Sequence, residues 1–464
     1  MDGTRLLQRN MHKVLVVGLG YRTGVAVSNF LTGRRVSVVA SDRKGERELA
    51  DVLVKLDPAV RVVTGEQKSS LLDEGFDAVI LSPGVPAGIP LIAEARRRKI
   101  PVMGEIELAY RYLKGTIVGI TGTDGKSTVT AMIGHILYAL CVDVRVGGNI
   151  GIPLITLAGT TTAHSVVVAE LSSFQLETIM SFRPHVALLL NVAPDHLDRY
   201  DGMEDYFEAK MKITMNQRAE DTFIYNLDDA MAVRGARMSK ARHESFSMTS
   251  ADADMFHRDG VVLLKEGGEA FRADGMKILG LHNVQNAMAA VLAVRAVLRK
   301  TRMTLDYKRI AAAIGSFPGL SHRLERLGIY QGREFVNDSK ATTVNAVMTA
   351  LKSLPGKGVL ILGGRTKGDD YARLASGLND RIRALVLIGE SRPFFSKLFT
   401  GYRQALAENM DEAVVMAMRE SKKGDTILLS PACASFDMYA DYEERGERFR
   451  DSFHRLESGA LLWT

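Results

Sequence analysis

The sequence predicts an α/β protein of about three domains built on mostly parallel sheets. Three observations predict it. Short continuous apolar runs such as VLVV (14–17) read as parallel strands covered on both faces. Such runs alternate with segments of helical period, the signature of βαβ units. Two glycine-rich turns, GLGYRTG (18–24) and GITGTDGKST (119–128), each follow a strand and open a helix. A length of 464 residues agrees with about three domains of ordinary size.

The elements follow in order. The first domain (1–105) has strands at VLVV, at VSVVASD (36–42) and at DAVILSPG (77–84), with helices after the glycine turn and at PLIAEARRRK (90–99). The second (106–319) opens on TIVGI (116–120). After its loop, Met132, Ile133, Ile136, Leu137 and Leu140 mark one face of a helix. SVVVAEL (165–171) and HVALLLNVA (185–193) are two more buried strands. In the third domain (320–464) the strands are GVLILGG (358–364), ALVLIGE (384–390) and TILLSPA (426–432), with a helix at MDEAVVMAMRES (410–421) before the last.

Composition narrows the class. The hydrophobic fraction of 46% and charged fraction of 25% are those of a globular enzyme. The net charge of +6 comes without the Lys/Arg run that a nucleic-acid groove needs, so no nucleic-acid partner is expected. Cys141 and Cys433 have no paired spacing, which suits a reducing compartment. No apolar run approaches the roughly 18 residues of a membrane span. The expectation is a cytoplasmic monomer with no membrane partner.

The second glycine turn is read as an ATP site. A phosphate loop aims backbone N–H groups at an anion from a helix N-terminus. Gly125 permits the sharp turn, Lys126 adds a point charge, and Ser127 with Thr128 brings a hydroxyl to Mg²⁺. The usual glycine five residues before Gly125 is replaced by Ile120, but Gly122 supplies a shorter loop through Thr123 and Asp124. The first turn, with Gly18, Gly20 and Gly24, is one residue longer than the dinucleotide fingerprint. Asp42 lies at the distance along the chain where such folds meet a ribose hydroxyl. That turn reads as a cradle for a nucleotide diphosphate, with a ligand-free tight turn as the plainer alternative.

A nucleotide cradle and an ATP-type loop in one chain suggest transfer between two phosphorylated partners. At this point the sequence resembles the Mur ligases, and among them the D-glutamate-adding branch. The resemblance is carried in family order by GLGYRTG, LSPGVP, GITGTDGKST, GGNIGIP, AELSSFQLE, NVAPDHLDRY, YFEAKMKI, HNVQNAMAA, FPGLSHRLE, NDSKATTVNA, LGGRTKG and LSPACASFDMYADYEERGERF. It implies a Rossmann-like N-terminal domain, a P-loop ATPase-type central one and a Rossmann-like C-terminal one, and an ATP-dependent ligase that joins D-glutamate to UDP-N-acetylmuramoyl-L-alanine through an acyl phosphate, in peptidoglycan precursor synthesis. Other readings are a related amino-acid ligase of the folylpolyglutamate synthetase kind, an oxidoreductase that uses the first turn for NAD, and a P-loop ATPase that acts on nucleic acid.

The same resemblance implies roles for single residues. Lys126, Glu170, His196 and Lys210 form the catalytic set. Lys210 is carbamylated there and shares Mg²⁺ with Ser127, Glu170 and His196. Asn149, Asn286, Arg323 and Asp338 are further ATP contacts, Arg323 for phosphate and Asp338 for ribose. Thr23, Asp42, Arg43 and Gly84 face the UDP moiety, with Arg22 and Lys44 beside them. Thr342, Lys367, Ser435, Phe436 and Tyr442 line the D-glutamate pocket, next to Lys340. Tyr442 stands where the family often has Phe. Without the resemblance, Lys210 would read as one of two lysines on an exposed helix.

Overall fold

A computed structural model describes residues 11–20, 22–196, 199–278, 280–354, 356–378 and 381–463. Tyr21, Leu197 and Asp198, inside two of the quoted motifs, lie outside the described residues. The chain forms two compact units, one running to Gly275 and adding Val284–Gly315, the other Met276–Asn283 and the chain from Ser316.

The first unit contains two sheets. One has the order β3-β2-β1-β4-β5, with β1 Lys13–Val17, β2 Ser37–Asp42, β3 Arg61–Thr64, β4 Ala78–Leu81 and β5 Val102–Gly104. All its pairings are parallel. β1 and β4 are apolar on both faces and lie inside, while β3 is half-exposed at the edge.

The other sheet has the order β14-β13-β12-β11-β10-β9-β6-β8-β7. Its parallel part comprises β6 Thr116–Thr121, β7 Val144–Gly148, β8 Val166–Glu170, β9 Val186–Leu189, β10 Thr222–Asn226 and β11 Arg242–Ser247. β12 Met255–Arg258, β13 Val261–Leu264 and β14 Glu269–Arg272 then extend it as an antiparallel meander. That meander is absent from the sequence reading: β12 and β14 are short and partly polar, and the apolar run of β13, VVLL (261–264), lies between them without the helical segments that mark βαβ units. The helix Lys126–Ala139 packs Met132, Ile133, Ile136 and Leu137 fully inside, the face expected of it. One apolar core runs from Val14, Val38 and Ile80 of the first sheet to Ile117, Val167 and Ala187 of the second.

The second unit has one sheet of order β15-β16-β20-β17-β18-β19, with β15 Glu325–Tyr330, β16 Arg333–Asn337, β17 Gly358–Gly363, β18 Ile382–Ile388, β19 Gln404–Leu406 and β20 Thr426–Leu429. Only β15 runs antiparallel to its neighbour. The three strands read from sequence, β17, β18 and β20, are its buried centre. In all three sheets the turns that leave the parallel strands carry the residues of interest, as open α/β sheets dictate.

Candidate functional site

The glycine loop after β6 is shaped by backbone that a side chain would spoil. Gly122 and Gly125 have φ of 153° and 81°. A Cβ on Gly125 would come within 2.4 Å of Asn286 Oδ1, which places Asn286 against the loop. The loop is also held from the far strand. Asn191 Oδ1 accepts the Thr123 and Asp124 N–H groups at 3.0 and 2.8 Å, and Asn191 Nδ2 donates to the Asp124 carbonyl at 3.2 Å. The Ala193 N–H donates to Thr123 Oγ1 at 3.0 Å, and the Tyr206 hydroxyl lies 3.3 Å from the same oxygen. Asn191 and Tyr206 were not singled out from sequence, although both lie in the quoted motifs. Their signal is a contact 67 and 83 residues along the chain, which no local pattern carries.

Two amines meet at this loop. Lys126 Nζ donates to the carbonyls of Gly122 at 2.8 Å and Thr123 at 2.6 Å. Lys210 Nζ donates to the same Gly122 carbonyl at 2.8 Å. Lys210 is only 1% exposed and lies over the Tyr206 ring at 4.2 Å, so the exposed-helix reading is corrected. Its helix, Met203–Met211, turns Tyr206, Phe207 and Lys210 to the interior together, Lys210 lying three residues after Phe207 and four after Tyr206, the spacing of one face. Burial, and then the charge of Lys126, lower the Lys210 pKa to about 6.

Ser127 and Thr128 are buried in the first helical turn. Glu170 ends β8 and is 2% exposed. One of its oxygens, Oε1, accepts from Asn149 Nδ2 at 2.7 Å; the other, Oε2, is buried with no partner. A buried carboxylate oxygen left unmatched is costly and suits a hard cation. Asn149 thus orients the carboxylate. His196, expected among metal ligands, sits on the surface at φ 54°, 3.4 Å from Asp195 and with its ring 4.8 Å from that of Phe174. No cluster of three His, Cys, Asp or Glu suited to a metal exists among the described residues. Glu170 Oε2, without a hydrogen-bond partner among the described residues, is the feature of this site that suits a hard cation.

The first glycine turn is built differently. Asp42 accepts the Leu19 N–H at 2.7 Å and the Lys44 N–H at 3.0 Å, one on each oxygen. Asp42, expected at a ribose hydroxyl, thus braces the turn with both oxygens, and each oxygen keeps a second acceptor site. A Cβ on Gly24 would fall 2.2 Å from the Gly18 carbonyl, so helix and turn pack too closely for any other residue. Ser82 Oγ donates to that carbonyl at 2.7 Å. Thr23 begins the helix Thr23–Thr32, with Arg22 at its N-cap; Arg43, Lys44 and Gly84 are exposed.

In the second unit the loops after β16, β17 and β20 converge. Lys367 Nζ donates to Thr342 Oγ1 at 3.2 Å, and the Ala432 N–H donates to the Ala341 carbonyl at 2.9 Å. Ser435 is buried and Phe436 is 63% exposed. The Tyr442 hydroxyl donates to Glu443 at 3.0 Å, and Lys340 Nζ lies 5.4 Å from the Tyr442 ring centre. Asp338, expected at the ribose, lies inside its loop. It is 5% exposed and accepts from the Leu324 N–H at 3.1 Å and Ser430 Oγ at 2.8 Å; burial raises its pKa to about 7. It anchors the loop from within. Arg323 Nε is buried without a partner, and its charge reaches Asp338.

With a phosphate loop, a buried carboxylate and a buried amine in one unit, and a cationic loop cluster on the other, comparison with known proteins becomes informative. The chain belongs to the Mur ligase family. Residues 12–104 match the Mur ligase MurD-like N-terminal domain, 120–294 the Mur ligase middle domain and 322–433 the Mur ligase glutamate ligase domain. Among its relatives is the UDP-N-acetylmuramoylalanine–D-glutamate ligase of Geotalea daltonii, 40% identical over 96% of this chain and 98% of that protein. The protein of the same name from Geobacter metallireducens is 41% identical over 96% and 98%. The fold is shared with UDP-N-acetylmuramate-alanine ligase MurC of Thermotoga maritima, with a TM-score of 0.61 at 19% identity, covering 97% of this chain and 100% of that one. It is shared also with MurF of Acinetobacter baumannii, with a TM-score of 0.59 at 17% identity, covering 96% and 94%.

Proposed function

We propose that the protein joins D-glutamate to UDP-N-acetylmuramoyl-L-alanine at the expense of ATP, through an acyl phosphate, in the cytoplasmic synthesis of peptidoglycan precursors. The observation that carries the mechanism is the meeting of Lys126 and Lys210 on one carbonyl, that of Gly122, at the N-terminus of a helix. The Lys126 ammonium and the N–H groups of the first helical turn call for a polyanion, while Lys210 beside them, neutral near pH 7, adds no positive charge of its own.

The chemistry follows from the groups. A carboxylate and an ammonium do not form an amide at useful equilibrium, so the carboxylate first takes the terminal phosphoryl group of ATP. The glutamate amine then attacks the acyl carbon, the C–N bond forms, and phosphate leaves with the former carboxylate oxygen. Phosphoryl transfer asks mainly for alignment and charge neutralisation. Lys126 meets the β and γ phosphates; the N–H groups of the first helical turn, Lys126 to Thr128, cradle them; Asn286 closes the loop's side. Glu170, Ser127 and a carbamylated Lys210, with His196 near, would hold Mg²⁺, which would supply charge neutralisation at the phosphates. The neutral amine that burial gives Lys210 near pH 7 is the form that adds CO₂.

Thr342, Lys367 and Lys340 offer a dicarboxylate cations and a hydroxyl, with Ser435, the Phe436 backbone and Tyr442 beside them. Arg323, with Asp338 fixing its loop, serves the nucleotide. Thr23, Arg43 and Gly84 serve the UDP end. The three domains are taken as 1–105, 106–319 and 320–464, and the working form as a monomer. Phosphate release with UDP-N-acetylmuramoyl-L-alanine, ATP and either D- or L-glutamate tests the reading. Release with the D isomer alone is expected; release with L-glutamate alone, or none with either, overturns it.

A further inference from the structure

Arg199 makes three contacts that no role above uses. Its Nη1 donates to the Pro83 carbonyl at 3.1 Å, its Nη2 donates to Glu177 Oε2 at 2.8 Å, and its guanidinium lies 3.9 Å from the centre of the Phe174 ring. Pro83 belongs to the turn after β4, in the first sheet. Phe174 and Glu177 follow β8, in the second. Glu177 is itself fixed: the Tyr200 hydroxyl donates to Oε1 at 2.6 Å and Lys212 Nζ donates to its carbonyl at 3.1 Å. From Phe174 the contacts continue to His196, at 4.8 Å between ring centres, and to Tyr200, at 5.9 Å. Tyr200 in turn meets Tyr206 at 5.3 Å, whose hydroxyl reaches Thr123 of the phosphate loop.

We infer that Arg199 is a positioning residue that sets the Ser82–Gly84 turn against the Phe174–His196 shelf, so that the sugar-linked end of the substrate is aimed at the phosphate loop. The inference rests on the ligase reading and adds to it a device for the acceptor substrate. A guanidinium is suited to this work. Its planar fork bonds a carbonyl and a carboxylate in fixed directions while its face stacks on an aromatic ring. The two sheets do not depend on it to stay together, because one apolar core runs through both. Its loss should therefore leave the fold and disturb the alignment.

The test separates the two ends of the substrate. In the ligase reading the UDP moiety is also met by Thr23 and Arg43, after β1 and β2, which Arg199 does not touch, so Arg199→Met should weaken UDP binding far less than binding of the whole substrate in calorimetry. Affinity for UDP-N-acetylmuramoyl-L-alanine should fall by roughly tenfold, the scale of one charge-assisted hydrogen bond. Its KM should rise while KM for D-glutamate stays, and Arg199→Lys should recover part of the loss. Should Arg199→Met not fold, Glu177→Gln, which removes the anion holding the guanidinium, is read by the same two ligands. Equal losses for UDP and for the whole substrate, or no loss for either, overturn the inference. An unaltered protein that binds the whole substrate no better than UDP overturns the ligase reading along with it.

Discussion

The two glycine turns of the first unit share a topology and differ in what they hold open. The turn after β1 is braced by a carboxylate, Asp42, whose two oxygens are both taken by backbone N–H groups. The turn after β6 is braced by an amide, Asn191, and gathers two amines on the Gly122 carbonyl. The choice of brace has an electrostatic consequence. A charged brace beneath a turn opposes an incoming anion, and a neutral one does not. The first turn thus suits a ligand met by scattered side chains, and the second a dense polyanion. Glycine content alone does not distinguish them; the bracing residue and the nearby amines do.

The contrast is sharpest at Lys126. Lys126→Ala should lower kcat by roughly 10³-fold in a phosphate-release assay, since charge neutralisation is the main task at a transferring phosphoryl group. Its melting temperature should hardly change, and near-normal turnover would remove the second turn from the mechanism. Lys210→Ala should cost roughly 100-fold, with partial rescue by acetate as a substitute carboxylate. Wild-type rates in that variant would end the carbamate proposal. Lys210 also makes a prediction about pH. Its folded pKa of about 6 lies below the ordinary lysine value of 10.5, so between those limits the unfolded chain binds more protons than the native one. Stability of the ligand-free protein contributed by this site therefore rises with pH from about 6 to 10.5. Lys210→Met should be more stable than the parent near pH 6, and the gap should close as pH rises. Denaturant melts at several pH values, without bicarbonate, check the slope; a constant gap contradicts it.

These residues also show what was readable from sequence. Strands β1, β4, β6, β8, β9, β17, β18 and β20 stand out because burial on both faces writes an unbroken apolar run. β3, β7, β12 and β14 do not, since edge exposure, glycines or polar residues interrupt the pattern, and β13, VVLL, has the run without the βαβ alternation that marks the others. At the site, Gly125–Lys126–Ser127 was legible because a phosphate loop is local. Lys210 and Asp338 were legible only through resemblance, because their own segments are polar enough to look solvated. Asn191 lay within a quoted motif and was passed over: an asparagine after a strand reads as turn chemistry until the loop 67 residues earlier is placed on it.

The smaller effects bear on the braces themselves. Asn191→Ala removes the acceptor of two loop N–H groups and a donor to the Asp124 carbonyl. The loop keeps the Asn191 backbone carbonyl as a partner for Thr123. It should therefore loosen rather than unfold, with a loss of about tenfold in kcat, less than the 10²-fold that a 1 Å misplacement can cost. At the first turn, Asp42→Asn keeps the shape but offers only one acceptor oxygen to the Leu19 and Lys44 N–H groups. The expected cost is about 1 kcal/mol of stability and a rise of a few fold in KM for the UDP substrate, with kcat unchanged. The two variants together weigh the comparison: Asn191 should act on kcat and Asp42 on KM. A fall in kcat from Asp42→Asn as large as that from Asn191→Ala would mean that both turns serve the phosphoryl group, and the division of labour drawn from their braces would be wrong.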